Sequence, residues 1–200
     1  ARDNLAAMIR SVQQRKAKLL LVGILLGLFV LSDGDVGGKR FTMSAYLTGF
    51  MYCFTISLGC LFFVLIQHLC RAGWSVVVRR VAEMMMIAIP ALGLLFIPVL
   101  VTAWSDSGTL YPWSNPGYAD VHGVPAGVWA EKLRYLSSDW FTVRSVVYLV
   151  LLSAIAIYYF QLSRRQDETG EITLTERMQA RSGPAVIAFS LITSFAAFDW

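Results

Sequence analysis

Between Phe41 and Leu69 the chain runs "FTMSAYLTGFMYCFTISLGCLFFVLIQHL" without a single Asp, Glu, Lys or Arg. A helix needs about 20 apolar residues to cross the hydrocarbon core of a bilayer. This stretch is long enough to cross with some tilt, and only a helix or a closed barrel satisfies its backbone there. Composition agrees: 56% of the 200 residues are hydrophobic, 15% are charged, and the mean hydropathy is +0.59. A soluble domain of this size is far more polar.

Four further apolar segments follow the same logic. The first, Lys18 to Ser32, is short and follows a basic stretch, as a signal peptide would. The "SDGDVGG" after it offers no small-x-small cleavage site, so the expectation is a short spanning helix with Lys16 and Lys18 snorkelling to the interface. The third, Val81 to Trp104, contains Pro90 and Pro98. Each proline removes a backbone donor, so this helix should be kinked and the freed carbonyls met by neighbouring groups. The fourth, Trp140 to Leu162, carries aromatic residues near both ends (Trp140 and Phe141, Tyr158 and Tyr159), where amphipathic rings favour the membrane interface. The fifth is expected to start at Pro184, a favourable first-turn position for proline, and to run to residue 200. The fold class is therefore all-α, a multi-pass transmembrane bundle of about five helices: one peripheral helix and a four-helix bundle.

Charge gives the orientation. The N-terminal flank and the loops after segments two and four hold twelve Lys and Arg; the alternate loops hold four, Lys39, Arg40, Lys132 and Arg134. The excess places the N-terminus in the cytoplasm. The 105–139 stretch, rich in Gly, Pro and Trp, is then a periplasmic loop able to cap the bundle or dock a partner. The net charge of +4 is spent in these short flanks, and no basic patch interleaved with aromatics points to nucleic acid. The three cysteines, Cys53, Cys60 and Cys70, lack zinc or c-type haem spacing. With His68 and His122 as the only histidines, and the latter in a Gly/Pro-rich loop, no metal or haem is expected on this chain.

The candidate functional residues are the polar groups that interrupt the apolar runs. Gly49, Cys53, Ser57 and Cys60 recur at helical spacing, a small-residue face suited to close helix packing. His68, three turns beyond Ser57, falls on that stripe near the cytoplasmic mouth, where an imidazole could pass protons or simply be hydrogen-bonded. Glu83 lies one turn after Arg79 and Arg80, so an i, i+3 or i, i+4 ion pair accounts for it as well as a proton path does. Arg144, one turn into segment four, calls for a buried anion, with Asp139, Glu131 and Asp199 as candidates. Asp199, in "SFAAFDW", lies about 22 Å along a helix started at Pro184, in the outer half of the membrane. An ionised carboxylate there costs several kcal/mol, and intramembrane acids commonly mark ion, proton or ligand routes; emergence at the outer headgroups is the plainer account.

Taken in order, "YLTGFMYCFTISLGCLFFVLIQHLCRAGWSVVVRRVAE", "LYPWSNP", "EKLRYLSSDWFTVR" and "SFAAFDW" resemble the polysulfide-reductase-like NrfD family, and within it the second integral membrane subunit of alternative complex III, a bacterial quinol:cytochrome c oxidoreductase. The likeness covers nearly the whole chain. Its most specific elements are His-Leu-x-x-x-x-Trp-x-x-x-x-Arg-Arg, from His68 to Arg80, with the Tyr-Pro-Trp loop and the terminal Phe-Asp-Trp. The resemblance implies a ten-helix protein of which this chain is the N-terminal half, in a bacterial inner membrane. It implies as partners a sister NrfD-like membrane subunit, an iron–sulfur subunit, and multihaem and monohaem cytochrome c subunits; haem c and iron–sulfur clusters would reside in those partners. The sister subunit binds quinol through histidine and aspartates near the outer face, and only Asp199 can be matched to them here, which makes quinol a possible ligand. On this reading His68 and Glu83 form the cytoplasmic side of a proton path, with Arg144 and Asp199 on the outer side. Half of a secondary transporter or channel, or a purely structural anchor, are the alternative functions.

Overall fold

The computed structural model describes residues 36–200 apart from 75, 106–108 and 116. The expected short helix at 18–32 lies outside the described residues. All regular elements among the described residues are helical: α1 (Val36–Leu69), α2 (Val76–Met86), α3 (Ile89–Leu95), α4 (Ile97–Trp104), a 3-10 turn (Pro112–Ser114), α5 (Tyr118–Val121), α6 (Ala126–Leu136), α7 (Ser138–Thr169) and α8 (Ile172–Asp199). Among the described residues four stretches are long and apolar enough to span a membrane: Gly38–Leu69, Val78–Trp104, Ala126–Thr169 and Ile172–Asp199. The chain is a multi-pass membrane helix protein.

The helices form two compact units. In the first, the described residues are 36–50 and 94–131. The third segment is broken into α2, α3 and α4, as its prolines lead one to expect, and the α3–α4 junction falls in this unit. At the α3–α4 junction the Val99 amide donates to the Phe96 carbonyl instead of to that of Leu95. The released Leu95 carbonyl accepts a 2.6 Å hydrogen bond from the Tyr46 hydroxyl, which removes the cost of an unpaired backbone group in an apolar setting. Phe50 and Phe96 pack ring to ring beside it, 5.1 Å apart. The described residues of the 105–139 region include helical elements, the 3-10 turn, α5 and α6, and Tyr118 packs against His122 and Trp129.

The second unit comprises Met51–Gly93 and Lys132–Trp200. Its spine is the antiparallel pair α7 and α8. On α7 the buried residues are Phe141, Ser145, Leu149, Leu152, Ala156, Tyr159, Leu162 and Ser163, recurring every third or fourth position as one helix face requires. On α8 the buried stripe runs Leu174, Met178, Ser182, Phe189, Ala196 and Asp199. Gly170 closes α7 in the left-handed conformation (φ 69°), its amide donating to the Gln166 carbonyl. Glycine adopts that geometry without the Cβ clash other residues meet.

Two expectations are corrected here. Pro184 does not begin the last helix; it lies inside α8, which starts twelve residues earlier at Ile172. The stripe Leu174, Met178, Ser182 already runs at four-residue spacing through the polar stretch, so packing against α7 sustains the helix beyond the apolar run. The small-residue face of α1 is buried only in part, at Ser57 and, on its continuation, His68. Gly49 and Cys53 are exposed and Cys60 is half-buried, whereas Met43, Phe50, Phe54, Ser57, Leu61, Val64, Leu65 and His68 are buried. Large side chains, with more apolar area to remove from water or lipid-facing positions, took the packed face.

Candidate functional site: two buried charge clusters on α7

Arg144 and Asp199 come from helices 55 residues apart in sequence and meet in a bidentate pair. Arg144 Nε donates to Asp199 Oδ2 at 2.8 Å and Nη2 to Oδ1 at 3.0 Å. Two phenols complete the set: Tyr135 donates to Oδ1 at 3.1 Å and Tyr148 to Oδ2 at 3.0 Å. Four donors on two oxygens match the full acceptor capacity of a carboxylate, and the Asp199 side chain has no exposed area. The guanidinium is equally fixed. Its remaining nitrogen, Nη1, donates to the Tyr135 carbonyl at 2.8 Å, and its plane lies 4.0 Å from the Tyr135 ring centroid. That carbonyl is in the last turn of α6, where helices leave acceptors without partners. Trp200 locks the end of α8 from the other side, its indole donating to Ser145 Oγ at 2.9 Å while its ring packs on Phe54.

A second cluster surrounds Glu83, whose side chain is 1% exposed. Arg80 Nη1 donates to Oε2 at 2.8 Å and the Ser163 hydroxyl to the same oxygen at 2.7 Å. Arg79 approaches Oε1 at 3.4 Å as an ion pair, and among the described residues no hydrogen bond to that oxygen is seen. Glu83 is thus less fully engaged than Asp199, with acceptor capacity left on Oε1. Arg80 reaches outward through its other nitrogen to Asp167, which is 53% exposed, so the cluster runs from a buried carboxylate to the surface.

His68, in the last turn of α1, is 2% exposed and neither ring nitrogen has a hydrogen-bond partner among the described residues. Its ring packs against Tyr159, centroids 5.6 Å apart. Tyr159 and Ser163 are one turn apart on the same face of α7, so His68 and Glu83 contact successive turns of that face without bonding to one another.

The four residues read from the sequence therefore fall into two places. Arg144 and Asp199 are brought into contact; His68 and Glu83 share the opposite end of α7. From Arg144 to Ser163 is nineteen helical rises, about 28 Å, close to the thickness of a hydrocarbon core. Sequence reasoning did not find Tyr135, Tyr148, Ser145 or Ser163. Tyr148 was within reach, four residues after Arg144 and hence on the same helix face; Ser163 was not, because nothing local links it to a glutamate 80 positions earlier. Neither the protein-family models nor the curated proteins give a match to this chain.

Proposed function

We propose that the chain is an integral membrane subunit of a bacterial quinol-oxidising respiratory complex of the NrfD type, and that its second unit supplies a proton route. The observation that carries this reading is the pair of buried charge clusters one bilayer thickness apart on a single helix. In the reading, Glu83 and His68 take protons at the end that opens through Arg80 and Asp167, which the Lys/Arg excess assigns to the cytoplasm. The Arg144–Asp199 cluster is the gate at the far end. Electrons would pass through iron–sulfur and haem c groups in partner subunits, and quinol, if bound here, would meet Asp199 only after displacing one of its tyrosines.

A second reading has its own support: a carboxylate holding four donors is a strong fastener between α6, α7 and α8, as a structural anchor would need. The experiment that separates the two is Asp199→Asn in the purified complex, with quinol oxidation and proton translocation measured together. The respiratory reading expects iron–sulfur and haem c subunits to co-purify, and the variant to lose proton translocation. Unchanged turnover and translocation contradict the proton route and favour the anchor. Isolation without any redox partner contradicts the respiratory assignment and favours a transporter.

A further inference from the structure

At the end of the α7–α8 hairpin that carries the arginines lies a cavity of about 370 Å3, lined by Ala154, Ile155, Tyr158, Tyr159, Arg181 and Ala185. The alanines leave the space open and the wall between the aromatic residues is aliphatic. Two polar side chains, Arg181 and Tyr158, stand in its lining. Arg181 Nη1 donates to the Tyr158 hydroxyl oxygen at 2.9 Å, and its guanidinium carbon lies 5.4 Å from the Tyr158 ring centroid. Among the described residues no carboxylate pairs with Arg181. Because Tyr158 accepts from Arg181, its own O–H remains to donate elsewhere. An arginine and a phenol, bonded to one another, therefore carry spare donors in the lining of an otherwise apolar groove.

The depth of that point is set by α8. From Arg181 to Asp199 is eighteen rises, about 27 Å, so with Asp199 at one boundary of the hydrocarbon, Arg181 lies at the other, at the level of the headgroups. A cation at the headgroup level above an apolar pocket complements an amphiphile with an anionic head and a hydrocarbon tail. The pocket volume is at the small end of the range for ligand sites, sufficient for a segment of one acyl chain. We infer that this groove binds an anionic glycerophospholipid, its phosphate on Arg181 and the Tyr158 hydroxyl and an acyl chain against Ala154, Ile155 and Ala185. A second cavity, on the Ile87 side of α7, is a poorer match: beside Arg164 and Arg165 its wall carries Gln161 and the carboxylate of Glu168, which pairs with Arg164 at 3.5 Å and would repel an anionic head.

The test is native mass spectrometry of the full chain, with whatever subunits accompany it, after exchange into detergent with either phosphatidylglycerol or phosphatidylcholine added. The expected result is retention of one phosphatidylglycerol in preference to phosphatidylcholine. Arg181→Ala should weaken that retention by at least about tenfold, as loss of a charge-assisted hydrogen bond does, and Tyr158→Phe by less. Ala185→Leu, which fills the pocket and leaves the charge, should also reduce it, whereas Arg164→Ala should not. Equal retention of the two lipids, or undiminished retention in both Arg181→Ala and Ala185→Leu, overturns the proposal. So does photo-crosslinking from position 155 that captures another protein segment in place of lipid.

Discussion

At the residue scale the decisive group is Asp199, because its oxygens are fully spoken for. Removing one phenol, Tyr148→Phe, takes away a hydrogen bond to a charged acceptor and should cost about 1.5–3 kcal/mol, read as a lower thermal midpoint in detergent. Arg144→Ala leaves a buried carboxylate without its counter-charge and should cost about 3–5 kcal/mol. Replacing both partners, Arg144→Leu with Asp199→Leu, should recover much of that loss, since the buried charge goes with its partner; the cycle built from these variants measures the coupling. That Arg144 needs an anion was legible from an arginine inside an apolar run. That the anion is Asp199 was legible only as one of three choices, because the decision depends on where α8 ends against α7. The tyrosines were hidden for the same reason: a phenol in an apolar helix is read as interface aromatic until a carboxylate is seen beside it.

At the element scale, the proline-broken third segment and the α7–α8 turn make separate demands. Tyr46→Phe withdraws the donor that meets the Leu95 carbonyl released at the Pro98 kink. The expected cost is about 1–2 kcal/mol, since the part-buried carbonyl loses its partner, and infrared or hydrogen-exchange measurements should show the α3–α4 junction loosened while α7 and α8 are unaffected. Gly170→Ala forces a Cβ into the left-handed region and should cost about 1–2 kcal/mol, detectable as earlier unfolding. The kinks were readable because proline's missing N–H is a property of the residue itself. The extent of α8 was not: Ile172 to Gly183 looks like a polar loop, and only packing of Leu174, Met178 and Ser182 along α7 shows it to be helix. The choice of buried face on α1 was misleading for a related reason. Gly49, Cys53, Ser57 and Cys60 form a regular small stripe, of which only Ser57 is buried, but Met43, Phe50, Phe54 and Leu61 form an equally regular large one, and periodicity alone does not rank them.

At the scale of the whole molecule, hydropathy fixes the class and little else, since apolar runs of this length admit respiratory subunits, transporters and anchors alike. The proposed proton route rests on the placement of Glu83 and His68 against one end of α7 and of Arg144 and Asp199 against the other, with unlike engagement at the two ends. Asp199 is held by four donors and acts as a fastener unless Arg144 moves; Glu83 has acceptor capacity left and a surface connection through Arg80 and Asp167. The proton route therefore stands or falls on Glu83 more directly than on Asp199. The measurement is the number of protons moved per electron when the complex, reconstituted in sealed vesicles, oxidises quinol with Glu83→Gln in place. A proton route predicts a ratio reduced by at least about half, with the complex still assembled; a ratio equal to that of the unmodified complex contradicts it.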